Sequence, residues 1–68
     1  MTDYERVLQA ARDNGWRPSG FQSALKLSKP GKTEITARFS EDGQLRECRV
    51  EGRLGGRLAD VIHHMRRA

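Results

Sequence analysis

The sequence predicts an α+β domain of two layers, ordered αβββα, in which a three-stranded antiparallel meander carries both helices packed on one face. Three observations lead there. A helical apolar stripe opens the chain, two runs of alternating apolar and polar residues flank an Asp-Gly turn in the second half, and another helical stripe follows them. In 68 residues these elements make a single domain spanning residues 1–68, with few ways to bury two helix stripes and one sheet face together.

The first helix begins at a capping box. Thr2 and Glu5 stand three residues apart, so the Thr2 hydroxyl can accept from the backbone amide of Glu5 while the Glu5 carboxylate returns to the amide of Thr2. Tyr4, Val7, Leu8 and Ala11 then recur at helical spacing, with Glu5, Arg6, Gln9, Arg12 and Asp13 between them. Gly15 stops the helix, and Trp16, directly after it, is expected to fold over the helix end as a lid on the core. Arg17 to Gly20 reads as a turn.

A first strand follows, in which Phe21, Ser23, Leu25 and Leu27 alternate with Gln22, Ala24, Lys26 and Ser28. Lys29 to Lys32 turns the chain. The second strand points Ile35, Ala37 and Phe39 inward, and Asp42-Gly43 is the strongest hairpin signal in the sequence. The third strand runs from about Leu45 to Val50 or a little beyond, with Cys48 and Val50 inward and Glu47, Arg49 and Glu51 outward. Gly52, Gly55 and Gly56 break it. Leu58, Val61, Ile62 and Met65 repeat at helical spacing, and Arg66 and Arg67 complement the dipole of the last turn.

Composition narrows the class of protein. Hydrophobic residues make up 35% of the chain and charged residues 32%, enough apolar content to close a small core. Cys48 is the single cysteine and cannot form an internal disulfide, and no secretory signal pattern opens the sequence, so a reducing cytoplasm is expected. Apolar runs are too short to cross a bilayer. The net charge is +4, with ten of the thirteen cations Arg, which favours anionic partners.

Patterns that would carry catalysis are incomplete. Gly31-Lys32-Thr33 resembles the tail of a phosphate-binding loop, but the glycine needed earlier falls at Lys26 and the segment joins strand to strand. His63 and His64 are adjacent, point about 100° apart on a helix, and cannot share a metal. Cys48 reads as an inert buried thiol, and no carboxylates pair as acid and base. The chain is therefore expected to be no enzyme and to need no cofactor.

Gln22, Lys26, Glu34, Thr36, Arg38, Glu47, Arg49 and Glu51 are expected to line the outer face of the sheet. No aromatic stands among them to stack single-stranded bases. Basic charge gathers instead in the Lys29–Lys32 turn and in the stretch from Arg46 onward, where six Arg face Glu47, Glu51 and Asp60.

The order of elements in this length resembles the double-stranded-RNA-binding domain. That resemblance implies duplex contacts from three places: the polar face of the first helix (Arg6, Gln9, Arg12), the first hairpin loop (Lys29, Lys32) and the Gly-rich start of the second helix (Gly55, Gly56, Arg57). The family opens its second helix with a lysine cluster, where this chain has Arg57 ahead of Leu58, Ala59 and Asp60. In its compact, Arg-rich make-up the chain also resembles small uncharacterised accessory proteins of actinobacterial phages. Two partners are thus expected, nucleic acid or a host protein, and the working unit is expected to be a monomer or a weak homodimer.

Overall fold

The computed structural model describes residues 1–50, 52–54 and 56–67. In chain order the elements are α1 (Asp3–Asp13), β1 (Arg17–Phe21), β2 (Ala24–Ser28), β3 (Ile35–Phe39), β4 (Leu45–Val50), β5 (Arg53–Leu54) and α2 (Leu58–Arg67). The five strands form one antiparallel sheet in which each pairs only with its neighbours in sequence. The α+β class and the packing of the helices on the sheet are as the sequence indicates. The three-stranded αβββα count is corrected to five strands.

Both ends of α1 are locked locally and then tied to the sheet. The capping box forms, with Thr2 N–H donating to Glu5 Oε1 and Glu5 N–H to Thr2 Oγ1, each at 3.1 Å. Tyr4 N–H donates to the Gly43 carbonyl at 3.0 Å, and Asp3 Oδ2 accepts from the Leu45 amide at 3.0 Å, so the first turn docks on the β3–β4 connection. Gly43 has φ +85°, and a Cβ there would lie 2.7 Å from the Thr2 Cβ. Only glycine permits that approach. At the other end the Trp16 amide reaches back to the Ala11 carbonyl at 2.8 Å and Gly15 N–H to the Arg12 carbonyl at 3.4 Å, the paired bonds of a Schellman motif.

The first correction lies between Arg17 and Ser28. The expected turn at Arg17–Gly20 is strand β1, and the expected single strand from Phe21 folds back at Gln22-Ser23, pairing Phe21 with Ala24 and Gly20 with Leu25. Nothing in Gln22-Ser23 is a turn dipeptide. The bend is held from outside, because Gln22 Nε2 donates to the carbonyls of Ser40 at 2.6 Å and Glu41 at 3.1 Å, and its own carbonyl accepts from the Phe39 amide at 3.2 Å. Gly20 is required where the hairpin closes, since a Cβ there would meet the Ala24 carbonyl oxygen at 2.5 Å. The fold-back reverses the expected facing of Phe21: it pairs with Ala24 on the outer face and is 79% exposed.

A second irregularity serves the core. The β3–β4 register shifts between Arg38 and Phe39, so Phe39 pairs with Leu45 and Arg46 has no partner in the ladder. A regular alternation back from Cys48 would turn Arg46 inward; the bulge puts Leu45 there instead. Beyond β4, Val50 pairs with Arg53 and Arg49 with Leu54, which adds the short fifth strand. Glu51, expected to continue β4 outward, lies outside the described residues.

One cluster holds the molecule together. Val7, Ala10 and Ala11 from α1, Trp16, the inward row Leu25, Leu27, Ile35, Ala37, Phe39 and Cys48, and Val61 and Met65 from α2 are all buried. Tyr4, Leu8, Leu45, Val50, Leu58 and Ile62 pack around them. Each large member stabilises the fold by about 1.5–3 kcal/mol relative to exposure. Trp16 closes one end as a lid, with Nε1 donating to the Met65 carbonyl at 3.3 Å, and Tyr4 meets Phe39 edge to face at 5.3 Å. Among the described residues no polar or charged side chain is fully buried, and no helix is long and apolar enough to cross a membrane.

Candidate nucleic-acid interface

Of the three segments that the resemblance implies, the first helix and the start of α2 adjoin where Arg6 lines a groove with Leu58 and Asp60, whereas the Lys29–Lys32 turn lies by the end of α1. Lys29 is half-buried, and its ammonium donates to the Asn14 carbonyl at 2.9 Å, satisfying an orphan carbonyl at the end of α1. Asn14 Nδ2 donates to the Ala10 carbonyl at 2.7 Å, which also accepts from the Asn14 amide at 3.2 Å. The Lys29 charge therefore serves the helix terminus. Lys32 is exposed, and its amide closes the turn on the Lys29 carbonyl at 3.0 Å. Gln9 Nε2 is bonded to Asp13 Oδ1 at 2.9 Å, and Arg12 is exposed in the last turn of α1.

The start of α2 lies toward the other end of the layer, because Trp16 ties the end of α1 to Met65, near the end of α2. Gly55 lies outside the described residues. Gly56 has its carbonyl in contact with the Cys48 thiol, which donates at 3.7 Å. The Arg57 amide donates to Asp60 Oδ2 at 2.9 Å, so a carboxylate already occupies the positive end of the α2 dipole. An anion offered to that terminus would meet like charge.

Cys48 is buried and chemically quiet. Burial, with the Asp60 and Glu47 carboxylates adding to it, pushes its pKa up and favours the protonated thiol over the thiolate. Two exposed carboxyls move the other way. Glu5 lies below its ordinary value chiefly because the Thr2 backbone amide donates to it, and Asp42 because the Ser40 hydroxyl does. Among the described residues no three His, Cys, Asp or Glu side chains gather as metal ligands.

Basic side chains do converge along the exposed side of α2. A groove between α1 and α2 is lined by Arg6, Leu58, Ala59, Asp60, Ile62, His63 and Arg66. A second, between α2 and the β4–β5 hairpin, is lined by Val50, Arg53, Leu54, Gly56, Asp60, His63, His64 and Arg67. Asp60 and His63 belong to both, and form the ridge between them. Arg6, Arg53, Arg66 and Arg67 are exposed. Arg66 and Arg67 carried only a dipole role in the sequence, and Arg53 had no position until β5 supplied one. Of the implied duplex-binding set, Arg6 and Gly56 line these grooves, Arg6 bringing the charge.

The outer face of the sheet is a separate surface. Ser19, Lys26, Thr36, Arg49 and Leu54 follow one another in register across all five strands, and Arg38 pairs with Glu47 in the next outward row. A shallow trough runs over this face, lined by Ala24, Lys26, Thr36, Arg38, Glu47 and Arg49. The expected outer residue Gln22 is instead in the β1–β2 turn.

No protein family, curated protein or solved structure matches the chain.

Proposed function

We propose that this protein binds nucleic acid without catalysing a reaction on it, and that duplex phosphates are held by the cations flanking α2. The supporting observation is the pair of grooves on either side of one exposed helix, where the described lining residues carry Arg6, Arg53, Arg66 and Arg67 against the carboxylate of Asp60. Arg is suited to this, since its planar fork can bond a phosphate bidentately. The grooves offer no Asn or Gln for reading adenine edges, so affinity is expected to depend on charge and little on base sequence. The proposed unit is a monomer or weak homodimer. Pro18 on the edge strand β1 removes a backbone donor that a second sheet would need.

A fluorescence-anisotropy titration with duplex DNA and duplex RNA over a range of salt tests this. Each phosphate neutralised on B-DNA adds about −0.9 to the slope of log affinity against log salt, so Arg66→Ala with Arg67→Ala should flatten the slope by about 2. Lys29→Met should leave it unchanged. Failure to bind either duplex at low salt overturns the proposal and leaves the protein-partner reading.

A further inference from the structure

We infer that the outer face of the sheet is a site for single-stranded nucleic acid, in which Phe21 stacks on a base and Lys26, Arg38 and Arg49 hold the backbone. This goes beyond the duplex surface along α2, which belongs to the helical layer on the other side of the sheet. The argument begins with Phe21. The residue is 79% exposed, a costly position for a large apolar side chain in a domain with so small a core. The β1–β2 hairpin fixes it there, in register with Ala24, one of the small residues lining the trough.

The trough supplies the rest of the chemistry. Ala24 and Thr36 are short side chains that leave space, and around them stand the longer Lys26, Arg38, Arg49 and Glu47. Among the described lining residues three cations stand against one carboxylate, a balance that favours an anionic occupant. Leu25, Ala37 and Cys48 border the trough with their side chains turned into the core, so the surface between the charges is backbone and small groups over which a flat, extended ligand can lie. A cationic groove beside an exposed aromatic ring is the combination by which proteins hold single strands without reading sequence. A duplex fits it poorly, because its bases are stacked on one another and present no free face to Phe21.

The test uses a fluorescent oligothymidylate and a duplex of equal length, titrated against the full chain and three variants. Phe21→Ala should weaken oligothymidylate binding by about 5- to 150-fold, the effect of one lost base stack, while leaving duplex affinity unchanged. Phe21→Trp should retain binding. Arg38→Ala with Arg49→Ala should reduce the single-strand salt slope by about 1.4. Unaltered far-ultraviolet circular dichroism verifies that each variant is folded. Three results overturn the inference: oligothymidylate that does not bind at low salt, affinity unchanged by Phe21→Ala, or displacement by polyglutamate as effective as by unlabelled oligothymidylate. Duplex binding with no single-strand binding removes this inference alone, whereas loss of duplex binding with oligothymidylate still bound removes only the α2 proposal.

Discussion

Replacing Gly43 with alanine should disable the junction between α1 and the sheet. The added methyl would lie 2.7 Å from the Thr2 Cβ and 3.0 Å from both Thr2 Cγ2 and Oγ1, so the N-cap residue must move. Two costs combine. Left-handed backbone at φ +85° costs a non-glycine residue roughly 1–2 kcal/mol, and losing the Thr2 cap costs roughly 0.5–2 kcal/mol more. A domain this small is stable by only about 3–5 kcal/mol, so a combined loss of about 2–4 kcal/mol removes most of its stability. Urea titration followed by Trp16 fluorescence reads the effect directly; at roughly 1 kcal/mol per molar urea, the midpoint should fall by about 2–4 M. A double-mutant cycle isolates the steric part. Thr2→Gly removes all three clashing atoms while keeping an acceptable cap, so Gly43→Ala in that background should cost only the backbone share of roughly 1–2 kcal/mol. Equal cost in both backgrounds would refute the steric argument, and an unchanged midpoint would refute the docking of α1 at Gly43 altogether.

Lys29→Met keeps the aliphatic stem but loses the bond to the Asn14 carbonyl, and should lower stability by about 1 kcal/mol in the same urea assay. The Cys48 thiol should react with an aromatic disulfide reagent only as fast as the protein opens, and at once in denaturant; immediate labelling of the folded protein would contradict its burial beneath Gly56. Glu5 and Asp42 ionise more readily folded than unfolded, so the stability they contribute is present above their unfolded values near 4 and is lost as pH falls through their folded values. Glu5→Gln should therefore flatten the acid limb of a thermal-melt series taken between about pH 5 and pH 2.

What the sequence disclosed was the part of the fold written in short-range chemistry. Thr2 and Glu5 specify a helix start within four residues, and Gly15 followed by Trp16 specifies its end, since every bond involved is local. The β1–β2 turn was illegible for the opposite reason. Gln22-Ser23 lacks the glycine or asparagine of a tight turn, and the bend depends on carbonyls of Ser40 and Glu41, 18 and 19 residues away. Arg46 disappears into a bulge that strict alternation does not anticipate. The candidate sites followed the same division. Lys29 looked available until the end of α1 was seen to use it, and the aromatic that the outer sheet face was expected to lack arrived when one misread turn reversed Phe21.

The neighbour-to-neighbour strand order has a kinetic consequence. Every strand pair in this sheet closes a short connection, the longest being the six residues between β2 and β3, so the hairpins can form one after another at low entropic cost. The helix contacts are different: the bond from Trp16 to Met65 spans 49 residues. Contact order is therefore divided between an early sheet and a late seam joining the two ends of the chain. Amide protection in the sheet should precede the burial of Trp16 during refolding, and substitutions at Met65 should speed unfolding more than they slow folding.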